Sequence, residues 1–535
     1  MASLASTGSP SVETARRLAS MPHDEHERLL LVLGTAICTF SIVLVRYFWS
    51  PRRKTPPGPP GLPILGNALQ LTGDQWLQFS AWRREYGDMV YLNAMGQPMI
   101  VLNSSSIAMD LLERRAAIYS DRPTMIVSHD IMCGGNTLPS AHYGDIWRRM
   151  RKASHEALNK VVAEGLNEYQ HEEALVLARD AMQNASSWEK FVRNSTANMM
   201  LRSLYDETPA LGEHDDRVHK INEFTATVSA AAVPGAFWVE IMPWMRNLPS
   251  ILAPWKRQAE VFYRHYDEMF CGFFDRVQRD IDDGLERTSF SASLIQDSDR
   301  HKLTTHESAW LTASLFSAGS DTTRAVLSWW GLAMLLYPDI QRRAQDELDA
   351  TVGRTRVPTF ADMPHLPYIS AIVKEVIRWR PVTPIGVPHR STQNDFYEGY
   401  FIPKGTVIIP NVWEMNRDTA TFGEDAHLFN PSRFLDEKGE LLSTLPGSKD
   451  DGHYTFGFGR RICVGKHVAT NSLFIDIAIS LWAYSFMNVE GQILDSEGGM
   501  NEGIVVAPKP FKVDIQYRFP EALSLLTQEC ELRGR

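Results

Sequence analysis

Along the chain, apolar positions recur at helical spacing over long stretches and alternate at strand spacing over only a few short ones. Met89-Val90-Tyr91-Leu92 and Met99-Ile100-Val101-Leu102, separated by Gly96-Gln97-Pro98, predict a hairpin of two short strands. Beyond it, helical periodicity dominates as far as Tyr337, and the longest helix is expected over about 304–337, stopped by Pro338. Another helix carries Lys374 to Arg378 and ends at Arg380-Pro381; short strands are expected over 387–390, 400–403 and 406–410. A helix over 466–482 completes a fold class that is mainly α with small β-sheets.

The pattern is different at the N-terminus. Residues 1–28 are polar and mixed in charge, whereas 29–45 run for seventeen residues without a charge, the lower limit for a membrane-spanning helix. Arg46 can snorkel while Tyr47, Phe48 and Trp49 form an interfacial belt, and Pro51-Arg52-Arg53-Lys54 closes the run with positive charge. The run starts too late for a signal peptide and lacks a small-residue cleavage site, so a retained single-pass anchor is expected. The charges after the span favour a cytosolic body. The proline-dense stretch from Pro56-Pro57-Gly58-Pro59-Pro60 to Asn67 reads as a stiff extended spacer. The expected organisation is a leader (1–28), a transmembrane anchor (29–49), a basic, proline-rich hinge (50–66) and one catalytic unit (67–535).

Composition narrows the function. The chain has 535 residues, 44% hydrophobic and 22% charged, as globular proteins do. A net charge of −10 gives no support for nucleic-acid binding. Its five cysteines, Cys38, Cys133, Cys271, Cys463 and Cys530, are odd in number and contain no C-x-x-C pair, which argues against a disulfide framework or a zinc ribbon. No phosphate-binding loop, H-E-x-x-H or dinucleotide fingerprint is present, so nicotinamide is not expected to bind this chain directly.

The chemistry centres on Phe456-Gly457-Phe458-Gly459-Arg460-Arg461-Ile462-Cys463-Val464-Gly465. Gly459 and Gly465 would let backbone N–H groups approach the Cys463 sulfur, while the following helix N-terminus and Arg461 would favour its thiolate. Ser317-Ala318-Gly319-Ser320-Asp321-Thr322-Thr323 interrupts an otherwise apolar helix. There glycine costs about 0.8–1.0 kcal/mol relative to alanine, and an unpaired buried carboxylate would cost several more. Back-bonding of the threonines to the preceding turn would leave Asp321 unexplained. Trp147 and Arg151 lie four apart on one helical face and, read alone, suit a solvated basic helix with one buried indole.

The spacing Phe-x-x-Gly-x-Arg-x-Cys-x-Gly, read with these other motifs, resembles the haem-binding loop of the cytochrome P450 superfamily. Asp362-Met363-Pro364-His365-Leu366-Pro367-Tyr368 and Val233-Pro234-Gly235-Ala236-Phe237-Trp238 suggest the fungal microsomal type of secondary metabolism, similar to O-methylsterigmatocystin oxidoreductase-like enzymes. The resemblance implies the P450 fold and haem b, iron protoporphyrin IX, with Cys463 as axial thiolate and metal ligand, favouring O–O cleavage. It implies that Asp321 and Thr322 relay protons where the helix opens for dioxygen, and that Trp147, Arg151, His389, Phe456 and Arg461 bind the haem. His389 read alone is equally a hydrogen-bonded strand-end histidine. The resemblance assigns Glu375, Arg378 and Arg433, the last from Phe429-Asn430-Pro431-Ser432-Arg433-Phe434, to a buried structural network.

The implied reaction inserts one oxygen atom from O2 into a hydrophobic small molecule. Electrons would come from NADPH through NADPH-cytochrome P450 reductase, with cytochrome b5 as a further partner, at the endoplasmic reticulum membrane. Arg148, Arg149, Lys152, Arg460 and Lys466 would form a basic docking face. The apolar, proline-broken stretch 231–251 resembles a lid that dips into membrane lipid. Segments 124–138, 224–241, 382–387 and 499–505, with the helix around Phe316, are candidate pocket walls, mostly apolar, which suits a terpenoid or polyketide better than a basic tryptamine-like amine. A reductase-independent isomerase or dehydratase and a non-catalytic haem-binding protein are the rival classes.

Overall fold

The computed structural model describes residues 54–535 apart from 72, 210–215, 234, 446 and 502, together with 31, 32, 34, 35, 37–39 and 41. The expected leader and most of the expected anchor lie outside the described residues. Among the described residues no helix is long and apolar enough to cross a membrane.

Helices dominate. The longer ones are α1 (Gln75–Tyr86), α2 (Asp145–Leu158), α3 (Asn167–Gln183), α4 (Trp188–Tyr205), α5 (Asp216–Ala231), α6 (Pro254–Asp282), α7 (Thr305–Leu336), α8 (Pro338–Thr351), α9 (Pro367–Trp379), α10 (Lys466–Ala483) and α11 (Ala522–Leu532). Four strands, β1 (Met89–Ala94), β2 (Gln97–Leu102), β3 (His389–Arg390) and β4 (Val407–Pro410), make one sheet in the order β1-β2-β4-β3. The β2–β4 pairing is parallel and the other two are antiparallel.

The hairpin differs from its expected form. Its turn is Met95-Gly96, both at positive φ, as a two-residue turn requires. Gln97 and Pro98 therefore belong to β2, with Pro98 opposite Asn93. The proline-rich stretch is not a free spacer either. Pro57 O accepts from Tyr91 N–H (2.9 Å) and Asn67 N–H donates to Asn93 O (2.6 Å), fastening it along β1. A Cβ on Gly58 would fall 1.9 Å from Tyr91 O, so this approach needs glycine.

Two compact units are distinguished: one comprises 1–56 with 394–403, the other 57–393 with 404–535. Within the first, Asp395–Tyr397 and Tyr400–Ile402 pair as an antiparallel hairpin. Within the second, α7 is the central helix, almost wholly buried among α4, α6, α9 and α10. A capping box, Thr304 with Glu307, starts it, and it ends at Tyr337 ahead of Pro338. All-round apolar character is what a helix buried on every side needs.

Candidate functional site

Cys463 lies just ahead of α10 in a loop folded on itself, its N–H donating to Phe456 O at 2.8 Å. The sulfur opens onto an internal cavity, accessible from within yet surrounded by protein. Of the two glycines, only Gly465 serves the sulfur, through its N–H. Gly459 (φ +53°) serves packing instead, since a Cβ there would meet Leu112 O at 2.2 Å. The expected activation by Arg461 is not found. Burial pushes the Cys463 thiol up, and the groups opposing it are the Gly465 N–H, Arg151 and Lys466.

The cavity lies between α3, α4, α7 and α10 and holds about 870 Å³ of empty space including its open mouth. Thr322 lines it opposite the cysteine loop, along with Leu315, Met200 and Val468. The Thr322 hydroxyl donates to Ala318 O at 2.7 Å. Here α7 stays helical throughout and no local opening is present. Gly319 lets Met200 of α4 pack close, since a Cβ would fall 2.4 Å from its Sδ and the methionine side chain would have to shift.

Asp321 does not line the cavity. Its carboxylate accepts from Arg324 (2.9 and 3.2 Å), which also donates to Glu189 (3.1 Å), and Glu189 accepts from Ser328 (2.8 Å). The expected unpaired carboxylate is thus an ion-paired one. Two carboxyls that sequence reasoning missed do reach the cavity: Glu173 of α3 and Asp476 of α10. Burial, and then Glu173, push the Asp476 carboxyl well above its usual range.

To one side of the loop, cations gather. Arg461 donates to Ser120 O (2.8 Å) and Ala141 O (2.7 Å), and its guanidinium lies 4.3 Å over the Trp147 ring. Its Nη1 is buried without a hydrogen-bond partner. His389 pairs Nδ1 with Tyr119 O (2.7 Å). Burial, Arg122 and Arg461 hold its imidazole well below the usual range. Arg122, which no sequence motif marked, donates to Pro139 O, Val387 O and Pro388 O. Burial, with Arg151 adding repulsion, lowers Arg461 to about 10; burial and Arg461 lower Arg122. Asp121 opposes both but already accepts from His142 Nδ1 (3.0 Å) and Tyr143 N–H (2.9 Å). Arg122 and Arg461, placed together and drawn out of water, call for an anion.

Glu375, Arg378 and Arg433 come together, all buried. Arg378 forks onto Glu375 (2.6 and 2.8 Å) and donates to Asn416 O, Ala426 O and Leu428 O. Arg433 reaches Glu375 at 3.2 Å and Asp425 at 3.2 Å. None of the three lines the cavity.

Of the expected pocket walls, only the helix around Phe316 lines this cavity among the described residues, through Leu315; the other segments pack elsewhere. Ile126, Val127 and Met132 pack with Ala231, Val239 and Ala259, and Glu240 accepts from the Ile126 and Val127 N–H groups (2.9 and 2.8 Å). Phe224 and Phe316 share a second cluster, and Val506 N–H bonds Val382 O at 2.8 Å. The connection between α5 and α6 exposes Val233, Trp238, Trp244, Ile251 and Leu252.

A cytochrome P450 family model matches residues 56–515. A cytochrome P450 monooxygenase of Armillaria gallica is 50% identical, covering 94% of this chain and 97% of that protein. Cytochrome P450 monooxygenase 58 of Postia placenta is 42% identical over 94% and 95%, and cytochrome P450 monooxygenase iboC of Amanita muscaria 37% over 90% and 94%.

Proposed function

Because the chain belongs to the cytochrome P450 family and is an enzyme of its monooxygenase class, we propose that it oxidises an apolar small molecule of fungal secondary metabolism, a terpenoid or polyketide. The observation that carries this reading is the cavity shared by the Cys463 sulfur and the Thr322 hydroxyl.

The residues present fit haem b. Its thiolate ligand would be Cys463, and its two carboxylates would answer the arginines Arg122, Arg151 and Arg461, including the unpartnered Arg461 Nη1, with the neutral His389 imidazole beside them. When bound, the haem supplies dioxygen activation by iron with thiolate electron donation. The chain does the rest. Cys463 must give up its proton to the solvent on ligation, helped by the Gly465 N–H and Arg151. Trp147 stacks on Arg461 and Phe456 O holds the Cys463 backbone, so the donors keep their aim. Thr322 offers its proton at Oγ1, with Ala318 O as its resting acceptor. Asp321, held by Arg324, would reload that hydroxyl through water. Leu315, Met200, Leu204 and Val468 line the cavity with apolar surface, which excludes bulk solvent and accepts an apolar substrate.

Electrons from NADPH would arrive through a separate reductase. Arg148 and Lys152 are exposed, with long contacts to Asp145 (3.9 Å) and Glu156 (4.0 Å), whereas Arg149 engages Asp145 and Glu307, and Lys466 engages Asp451. The exposed Trp238, Trp244, Ile251 and Leu252 support a face turned to endoplasmic reticulum lipid. The deciding experiment is the reduced, carbon monoxide-treated absorption spectrum of wild type and Cys463→Ala. A strongly red-shifted Soret band lost in the variant is expected; an unchanged spectrum removes Cys463 as ligand.

A further inference from the structure

Away from the cavity, α6 and the first turn of α7 bring three metal-ligating side chains together. Asp267 and Cys271 are four apart on α6 and so share a face. His306 stands in the turn that the Thr304–Glu307 capping box fixes. One ligand atom from each lies within 4.8 Å of the others. His306 Nε2 is 2.7 Å from Asp267 Oδ1, and Cys271 Sγ is 3.9 Å from the same oxygen. Trp310 Nε1 donates to Asp267 Oδ1 at 2.7 Å, and Tyr263 OH is 3.2 Å from His306 Nε2. All three ligating residues are partly exposed, so an ion could enter from solvent.

We propose that Asp267, Cys271 and His306 bind a divalent transition-metal ion of the zinc class, with water as the fourth ligand. The donor set decides the class: one sulfur, one imidazole nitrogen and one carboxylate oxygen suit zinc, whereas magnesium and calcium demand oxygens throughout. Zinc bonds of about 2.0–2.3 Å place tetrahedral ligand atoms roughly 3.3–3.7 Å apart, a spacing that the 2.7 and 3.9 Å separations here bracket. Side-chain rotation closes the difference. Trp310, which donates to that same Asp267 oxygen, would orient the carboxylate from outside.

The charges fit as well. Two carboxylates, Asp267 and Asp275, act electrostatically on the Cys271 thiol, so the surroundings are negative and attract a cation. A bound divalent cation displaces that thiol proton to solvent, so one proton leaves per ion and binding strengthens as pH rises. The ion's charge is then balanced by one thiolate and one carboxylate. Such a site would clip α6 to the start of α7, the helix that carries Thr322.

The test uses the haem-loaded enzyme, stripped with chelator and dialysed against micromolar Zn2+ in millimolar Mg2+, with zinc and iron counted by elemental analysis. One zinc per iron is expected in wild type, with affinity at least about tenfold lower in Cys271→Ser and in His306→Ala. Each variant's carbon monoxide spectrum verifies its fold. In wild type alone, Zn2+ should also shield Cys271 from alkylation, read by peptide mass spectrometry. Equal zinc retention by the variants, no stoichiometric zinc, or unshielded Cys271 would each show that the cluster only hydrogen-bonds two helices, and would overturn the proposal.

Discussion

Thr322 is the residue on which the catalytic reading is most exposed. Its hydroxyl faces the cavity and donates to Ala318 O, a bond that a structural threonine would also make. Removing the hydroxyl separates the two roles. Thr322→Ala is expected to keep consuming NADPH while product per NADPH falls by about 10²-fold, the lower end of what a positioned proton donor supplies. The measurement is the ratio of product to NADPH at matched turnover. Wild-type coupling in the variant would make Thr322 a helix residue with a back-bonded side chain. Asp321 was legible as unusual, but its partner was not. Arg324 follows it by three residues, and it is the burial of the Arg324 guanidinium that turns that spacing into an ion pair.

At the scale of elements, α9 is joined to the loop ahead of the cysteine through Glu375, which accepts from Arg378, Arg433 and the Asn430 N–H. Such a network holds two arginines out of water, and deleting the acid leaves Arg378 without a carboxylate and Arg433 with Asp425 alone. Glu375→Ala should lower unfolding stability by about 3–5 kcal/mol, read as a shift in the urea midpoint with unchanged slope. A shift below about 1 kcal/mol would mean that the arginines are satisfied by the carbonyls alone. The Glu-x-x-Arg spacing is itself weak, since the leader contains it at Glu13/Arg16 and Glu25/Arg28. Its meaning here comes from Arg433, 58 residues away. The lid stretch was read from its apolar, proline-broken composition, and the exposed indoles of Trp238 and Trp244 follow from it.

For the whole molecule, the buried histidines set the response to acid. His453 is held to about 3 and His129 to about 4, both first by burial, and His389 well below its usual value. Their folded pKa values lie below the unfolded value of about 6.5, so the unfolded chain binds more protons between those limits. The stability they contribute is complete above pH 6.5 and is lost as pH falls toward 3. Each such histidine adds a slope of about 1.4 kcal/mol per pH unit within its window. In His453→Gln the slope between pH 6 and 5 should be smaller by that amount, measured by urea unfolding at each pH. Equal slopes would mean that His453 is hydrated or titrates elsewhere.

The sequence by itself determined the element types, the helix carrying Thr322 and the loop carrying Cys463. These are encoded locally, by periodicity, caps and prolines, or by a spacing specific enough to stand alone. Only the tertiary structure decided what the exceptional residues touch. Gly319 admits Met200, Gly459 admits Leu112 O, Asp321 finds Arg324, and Arg461 turns to Trp147 and leaves the sulfur to Arg151. Arg122, Asp476 and the Asp267–Cys271–His306 cluster had no local signal at all. A buried charge or a missing Cβ shows along the chain as an anomaly, but its partner is chosen by which helices pack together.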